Sequence, residues 1–360
     1  MMWQSFCRVA FVAGCLFVTL TGAYGACIAN EDDLKKLHPE EIEPIVRQEF
    51  SLSNYDCGIL AVHTRATAVT AQSGSKRMDA QFGLRDLALR INLEPHFPPE
   101  KRLLLLQAAV IPTERLGVHR DDEETKFDAL MFLKAAEQFR AQQDVDGSLE
   151  ALALGIGTDQ HLPAEKRVIK SWSFSLSVLD DSTKTYRFLG PMLLLANLTK
   201  GDEVLAGFRS QLAFHVYYSG VALHQGDLRI AVLERAKLLL QLADALSDVK
   251  ECYMFGANWQ WRPILRSGVA YYQLGETAQG SKEIRRAIQM ARDIENPDYR
   301  LGQYRFVISE LLMAKFDRST TSSLAKEMLD LANTLDTPIA KEERKSLPNV
   351  IKTWGLDSPQ

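Results

Sequence analysis

The chain has 360 residues, of which 46% are hydrophobic and 24% charged, and a formal net charge of −4. That composition suits a globular core, in two units or one long stack of repeats, and excludes a disordered or fibrous chain. The negative balance supplies no basic field to gather phosphates, so a general nucleic-acid binder is not expected.

Residues 1–25 read as a secretory signal peptide. Arg8 is the positive charge, Val9 to Leu20 the apolar core, and Ala23-Tyr24-Gly25 a small-residue cleavage site before Ala26. The expected address is periplasmic or secreted. Gly25-Ala26-Cys27 also fits the end of a lipoprotein signal, although Tyr24 stands where Leu is expected, so a structural envelope lipoprotein anchored at Cys27 is the alternative. No later run reaches the length and apolarity of a membrane-spanning helix, and no transmembrane segment is expected in the mature chain. Cys7 and Cys15 leave with the signal, and Cys27, Cys57 and Cys252 remain. An oxidising compartment permits one disulfide, expected between Cys27 and Cys57 because both lie in the N-terminal region. Cys252 then reads as a buried small hydrophobe; three free thiols is the competing reading.

Residues 26–183 form an N-terminal helical region. Pro39-Glu40-Glu41 marks a helix start, with the helix running to Phe50 and a break at Ser51 to Asn54. Further helices are predicted over Tyr55–Ala71, Arg77–Leu93, Pro99–Leu116, Thr125–Gln143, Pro163–Val178 and, across the next boundary, Tyr186–Thr199. Leu103 to Leu106 is apolar all round, which predicts a buried helix, and Pro112 kinks or ends it. Asp121 to Glu124 places acids at a helix start, where the dipole favours them. Alternating strand patterns are nearly absent; Asp146-Gly147 lies between helical runs.

Residues 184–337 carry an internal repeat. Trp259 to Asn296 reads as two antiparallel helices joined at Leu274-Gly275-Glu276. Gly268 lies inside the first helix, where Gly costs about 1 kcal/mol against Ala unless a neighbour must approach closely. Gly275 ends that helix, and Ile284, Ala287, Ile288 and Ala291 make one apolar stripe on the second. An echo precedes it in Ser219 to Asp227, with Gly220 and Gly268 lying 48 residues apart, and a fainter one follows in Phe306 to Leu335. One such hairpin cannot bury its apolar face alone and needs stacked neighbours. Residues 338–360 form a C-terminal helix and tail, with Trp354 expected to dock back.

The hairpin resembles the tetratricopeptide repeat. Gly268, Tyr271, Gly275, Gly280 and Ala287 fall on that family's small and aromatic steps. Ile264 stands where it prefers Trp, Ile284 where it prefers Phe, and Ser267 replaces the usual Leu. The closing Pro297 comes late for a repeat of about 34 residues. The resemblance implies an all-α solenoid of antiparallel hairpins whose first helices line an inner groove.

No catalytic signature emerges. Asp144-Val145-Asp146-Gly147 resembles part of a calcium loop, but position 153 is Ala153 where the loop needs Glu, so a turn capping the next helix is expected. The seven His form no zinc pattern, and neither a nucleophile elbow nor a phosphate loop occurs, so no metal or cofactor is expected. Tyr253, Asn258, Trp259, Trp261, Arg262 and Arg266, extended by Tyr272 and Arg305, form an aromatic–basic group at the first helix of the clearest repeat. Trp, Tyr and Arg are the side chains that most often anchor partners. Trp259 and Trp261 are two apart and face different ways, so at most one of them is expected at the surface; packing between hairpins is the plainer reading of both. The expectation is a non-enzymatic adaptor or scaffold that binds a protein or peptide in a concave groove. An enzyme on an α-helical scaffold, acting on cell-envelope glycans, is the alternative besides the lipoprotein.

Overall fold

The computed structural model describes residues 34–37, 39–69, 72, 74–94, 96–110, 122–171, 188–219, 228–250, 252 and 258–356. Among these residues every regular element is helical and no strand forms. The chain divides into two compact units, residues 1–174 and 175–360.

The first unit contains α1 (Pro39–Ser51), α2 (Tyr55–Val69), α3 (Gly74–Asn92), α4 (Pro99–Ala108), α5 (Asp122–Ala141) and α6 (Val145–Asp159). Sequential partners pack as hairpins, α1 on α2 and α5 on α6. In addition α1 packs on α3 and α3 on α5, while α2 packs on α4 and α4 on α6. Two rows of helices therefore run through the unit. Ile42, Leu60, Leu84, Leu87, Ile91, Leu105, Leu106, Leu133 and Phe139 are fully buried between them. At the first turn Phe50, Tyr55 and Phe97 pack ring against ring, with centroids 5.0–5.7 Å apart.

Polar side chains reveal the direction of these rows. Arg90 pairs with Glu43 and Arg47 with Glu94, each pair 47 residues apart in sequence. Gln81 bonds Glu124 and Arg85 bonds Asp128, each 43 apart. A constant offset at two successive turns means that α1 and α3, and likewise α3 and α5, run parallel; an antiparallel pair would give a constant sum instead. Arg77 joins the second set through Glu124 at 2.8 Å. Glu124 thus holds the preceding hairpin as well as sitting at a helix start.

The second unit contains α7 (Leu189–Leu198), α8 (Ala206–Tyr218), α9 (Arg229–Ala245), α10 (Trp261–Gln273), α11 (Thr277–Arg292), α12 (Pro297–Met313), α13 (Arg318–Thr334) and α14 (Pro338–Thr353). Again alternate helices touch: α8 on α10, α10 on α12, and α12 on α14. Hairpin contacts join α10 to α11 and α12 to α13. Ion pairs and hydrogen bonds between successive hairpins span 47 residues for Arg229 with Glu276, 42 for Arg286 with Asp244, 38 for Arg305 with Glu343, and 35 for Arg292 with Glu327. The two steps nearer the C-terminus, 35 and 38 residues, are shorter than the two before them, 47 and 42.

Caps decide where several helices begin. Asp144 accepts from Gly147 N at 3.0 Å, the capping turn that the sequence predicts. Asn296 accepts from Tyr299 N, with Pro297 in the first turn of α12. Thr337 accepts from Ala340 N ahead of Pro338. Asp317 accepts from Ser319 and Thr320 through both backbone and hydroxyl donors, which hold its carboxyl down at about 2. A depressed pKa favours the folded state above the ordinary aspartate value, and this contribution is lost as pH falls through about 2. Asp317→Ala is expected to cost about 1 kcal/mol at neutral pH. In thermal melts the gap between variant and parent should close on acidification.

Several sequence expectations change. The helix after Pro99 ends at Ala108, and residues 111–121, including Pro112, lie outside the described ones. No α-helix starts at Pro163: turns lead to a short 3-10 segment, Val168–Ser171, whose first amides Asp159 accepts at 2.7 and 3.3 Å. That side chain, fully buried and paired with Arg167 at 2.7 Å, supplies the acceptors that a continuing helix would have provided. The helix predicted from Tyr186 starts at Leu189. The early repeat copy opens where α8 stops, at Tyr218 with Ser219 extended, and its residues 220–227 lie outside the described ones. At the C-terminus Leu356 is the buried tail residue and Gly355 the one bonded by Arg318; Trp354 is only half-buried. Cys252 is fully buried and its thiol is pushed up to about 12 by desolvation. Cys57 is disulfide-bonded, with its partner outside the described residues.

Candidate functional site

The α10–α11 hairpin is the closest-packed pair in the second unit. A Cβ on Gly268 would meet Ile284 N at 2.9 Å, and one on Gly280 would meet Tyr272 N at 2.5 Å and Gly268 O at 2.8 Å. The two backbones approach so closely that neither position admits a side chain. Gly275 turns the chain between them at φ +88°. This fixed hairpin sets the rotation of α10 and therefore which of its residues face α8 and α12.

Trp261 is fully buried on that side. Its ring meets Tyr217 of α8 edge-on at 6.2 Å and Phe306 of α12 at 5.6 Å. Arg262 follows it into the same surroundings. Its guanidinium lies 4.7 Å from the Tyr217 ring, 5.4 Å from Tyr218 and 4.3 Å from Phe306. One turn on, Arg266 lies 5.6 Å from Phe306 and donates from Nη1 to the carbonyls of Tyr218 and Ser219, at 2.8 and 2.7 Å. Those are carbonyls at the C-terminal end of α8, where a cation is favoured by the helix dipole. Tyr217 also shares a hydroxyl contact with Tyr299 at 3.3 Å and donates to Gln303 Oε1 at 3.4 Å.

Three successive row helices thus contribute to one half-buried face. Tyr299, Gln303, Phe306 and Glu310 come from α12 at helical spacing, Trp261, Arg262 and Arg266 from α10, and Tyr217 and Tyr218 from α8. Burial, then the neighbouring Arg262 charge, pulls the Arg266 guanidinium down to about 10. Burial pushes the Glu310 carboxyl above its ordinary range, while Arg266 and Arg262 pull it the other way. Burial likewise raises the Tyr299 hydroxyl. Among the described residues no carboxylate reaches ion-pair distance of Arg262 or Arg266. Trp261 Nε1, Arg262 Nε and Ser267 Oγ are buried and have no hydrogen-bond partner among them.

The remaining residues of the predicted aromatic–basic group lie elsewhere. Trp259 is fully buried and donates to Val249 O at 3.3 Å, so both indoles pack between helices and neither offers a contact surface. Apolar neighbours cover α10 on more than one side, which its sequence pattern does not reveal. Asn258 is spent on Asp293 O at 2.9 Å, joining the start of α10 to the end of α11. Tyr272 packs on Phe316 at 5.1 Å and borders an open cleft of about 530 Å³ with Gln273, Leu274, Met313 and Lys315. Arg305 is occupied by Glu343 of α14 at 2.9 Å. Tyr253 lies outside the described residues. Sequence reasoning did not single out Tyr217, Tyr218, Tyr299, Gln303 and Glu310. The α12 set was nevertheless legible as one face, since positions 299, 303, 306 and 310 recur at four- and three-residue steps.

Comparison of the chain with protein-family models, with curated proteins and with solved structures finds no match. Among the described residues no helix is long and apolar enough to cross a membrane.

Proposed function

We propose that this chain is a secreted or periplasmic helical-repeat protein, tetratricopeptide-like, that holds a peptide or protein partner on the face made by α8, α10 and α12. Each unit is read as an α-solenoid, because alternate helices touch in rows and cross-links recur at steps of 35–47 residues. A closed bundle would place alternate helices on its diagonals rather than in consecutive contact. The observation that carries the binding assignment is the Arg262–Arg266 pair, set among rings from two neighbouring helices and without an ion-paired carboxylate among the described residues. Such aromatic and arginine groupings are what interfaces use as anchors. An oxidising address fits the disulfide at Cys57, for which Cys27 is the proposed partner.

The test is recovery of a partner from envelope extract on the immobilised mature chain, with the Arg262→Glu, Arg266→Glu double variant beside it. The variant should lose the specific partner while its circular dichroism stays helical. Undiminished recovery by a folded variant would move the binding face elsewhere.

A further inference from the structure

Two guanidiniums one helical turn apart, both partly buried and neither ion-paired among the described residues, are an unusual local charge. Arg262 makes no hydrogen bond among the described residues, and Arg266 uses only Nη1, leaving Nε and Nη2 to donate. Rings lie 4.3–5.6 Å from the two guanidinium carbons, contacts that consume none of their N–H donors. Glu310 is the carboxylate whose field reaches them, and it stands beyond ion-pair distance. Among the described residues the local balance is therefore positive, on a protein whose net charge is −4. A chain with that balance does not gather polyanions such as nucleic acid, whereas a site with two unspent guanidiniums matches a single carboxylate in charge and in planar geometry.

We infer that Arg262 and Arg266 together receive one side-chain carboxylate from within an acidic, apolar-flanked peptide segment of the partner. This rests on the peptide-binding reading above and names the chemistry of what is bound. Rings stand on both sides of Arg262, Tyr217 and Tyr218 from α8 and Phe306 from α12, and Phe306 also borders Arg266, so residues before and after a carboxylate held at Arg262 each meet an apolar wall. A chain terminus would fill only one side. Desolvation by those rings strengthens the charge-assisted bonds when the carboxylate arrives.

The test uses the mature chain and a fluorescein-labelled peptide of alternating Glu and Leu with both termini blocked, read by anisotropy. A Gln–Leu peptide is the uncharged control. The Glu peptide should bind at least about ten-fold tighter than the Gln peptide, and the ratio should shrink between ~50 mM and ~300 mM salt. Arg262→Gln, which forfeits no hydrogen bond within the described fold, should abolish the preference. Arg266→Lys, keeping charge but losing the planar fork, should reduce it by several-fold. Equal binding of the two peptides by the parent would overturn the carboxylate assignment and leave the groove reading intact. A full Glu preference in a folded Arg262→Gln variant would overturn the role of the pair. Displacement by millimolar inorganic phosphate, or tight binding of a Gln–Leu peptide with a free C-terminal carboxylate, would overturn the choice of an internal acidic segment. Binding of neither blocked peptide would overturn this inference, whereas the groove reading stands or falls on recovery of a partner from envelope extract.

Discussion

Asp128→Ala should destabilise the first unit by about 3–5 kcal/mol, the usual cost of stranding one member of a buried ion pair. Asp128 is fully buried, and Arg85 bonds its Oδ1 at 2.5 Å. Removing the carboxylate leaves the guanidinium enclosed by α3 and α5 without its counter-charge. Urea unfolding should show the midpoint drop with little change in slope, since the buried surface is the same. The double replacement Arg85→Met, Asp128→Leu is the informative companion. It removes both charges and keeps apolar volume, so it should recover most of the loss. If it does, the pair serves to select which helices lie side by side more than to add stability. A double variant as unstable as Asp128→Ala would instead make the pair a net source of stability.

Gly280→Ala should cost the second unit about 1–3 kcal/mol, the range for forcing atoms into a well-packed contact. The added Cβ would stand 2.5 Å from Tyr272 N and 2.8 Å from Gly268 O, and these are backbone atoms, not side-chain ends that swing aside. The α10–α11 pair must separate, and Arg262 and Arg266 move with α10. Gly302→Ala is the control of opposite sign. It is the same substitution inside a helix, but nothing lies within 4 Å of the new Cβ. There the gain in helix propensity should stabilise by up to about 1 kcal/mol. Thermal melts of the two variants against the parent separate steric clash from propensity. A Gly280→Ala protein as stable as Gly302→Ala would mean that the hairpin is looser than its packing implies.

The cross-links between hairpins explain why only part of this architecture can be seen along the chain. Gly275, the Ile284–Ala291 stripe, Asn296-Pro297 and Asp317 are local signals, acting within one turn of where they stand, and the helices they delimit follow from them. The Arg85–Asp128 and Arg90–Glu43 pairs are not local, and any one sequence position offers many opposite charges some 40 residues away. Pro163 misled for a similar reason: the local pattern favours a helix, but Asp159, placed by tertiary packing, captures the amides and holds a short 3-10 turn instead.

What the sequence determined by itself was the helical class, the α10–α11 hairpin and the i, i+4 placement of Arg262 and Arg266 on one face, because helix periodicity and glycine sterics act between near neighbours. Tertiary structure alone decided that Trp259 and Trp261 are interior, that Arg305 is already paired, and that Arg262 and Arg266 lie among rings with no ion-paired carboxylate among the described residues. Burial and charge neutralisation depend on what α8, α12 and α14 bring from tens of residues away, and no short-range rule encodes that.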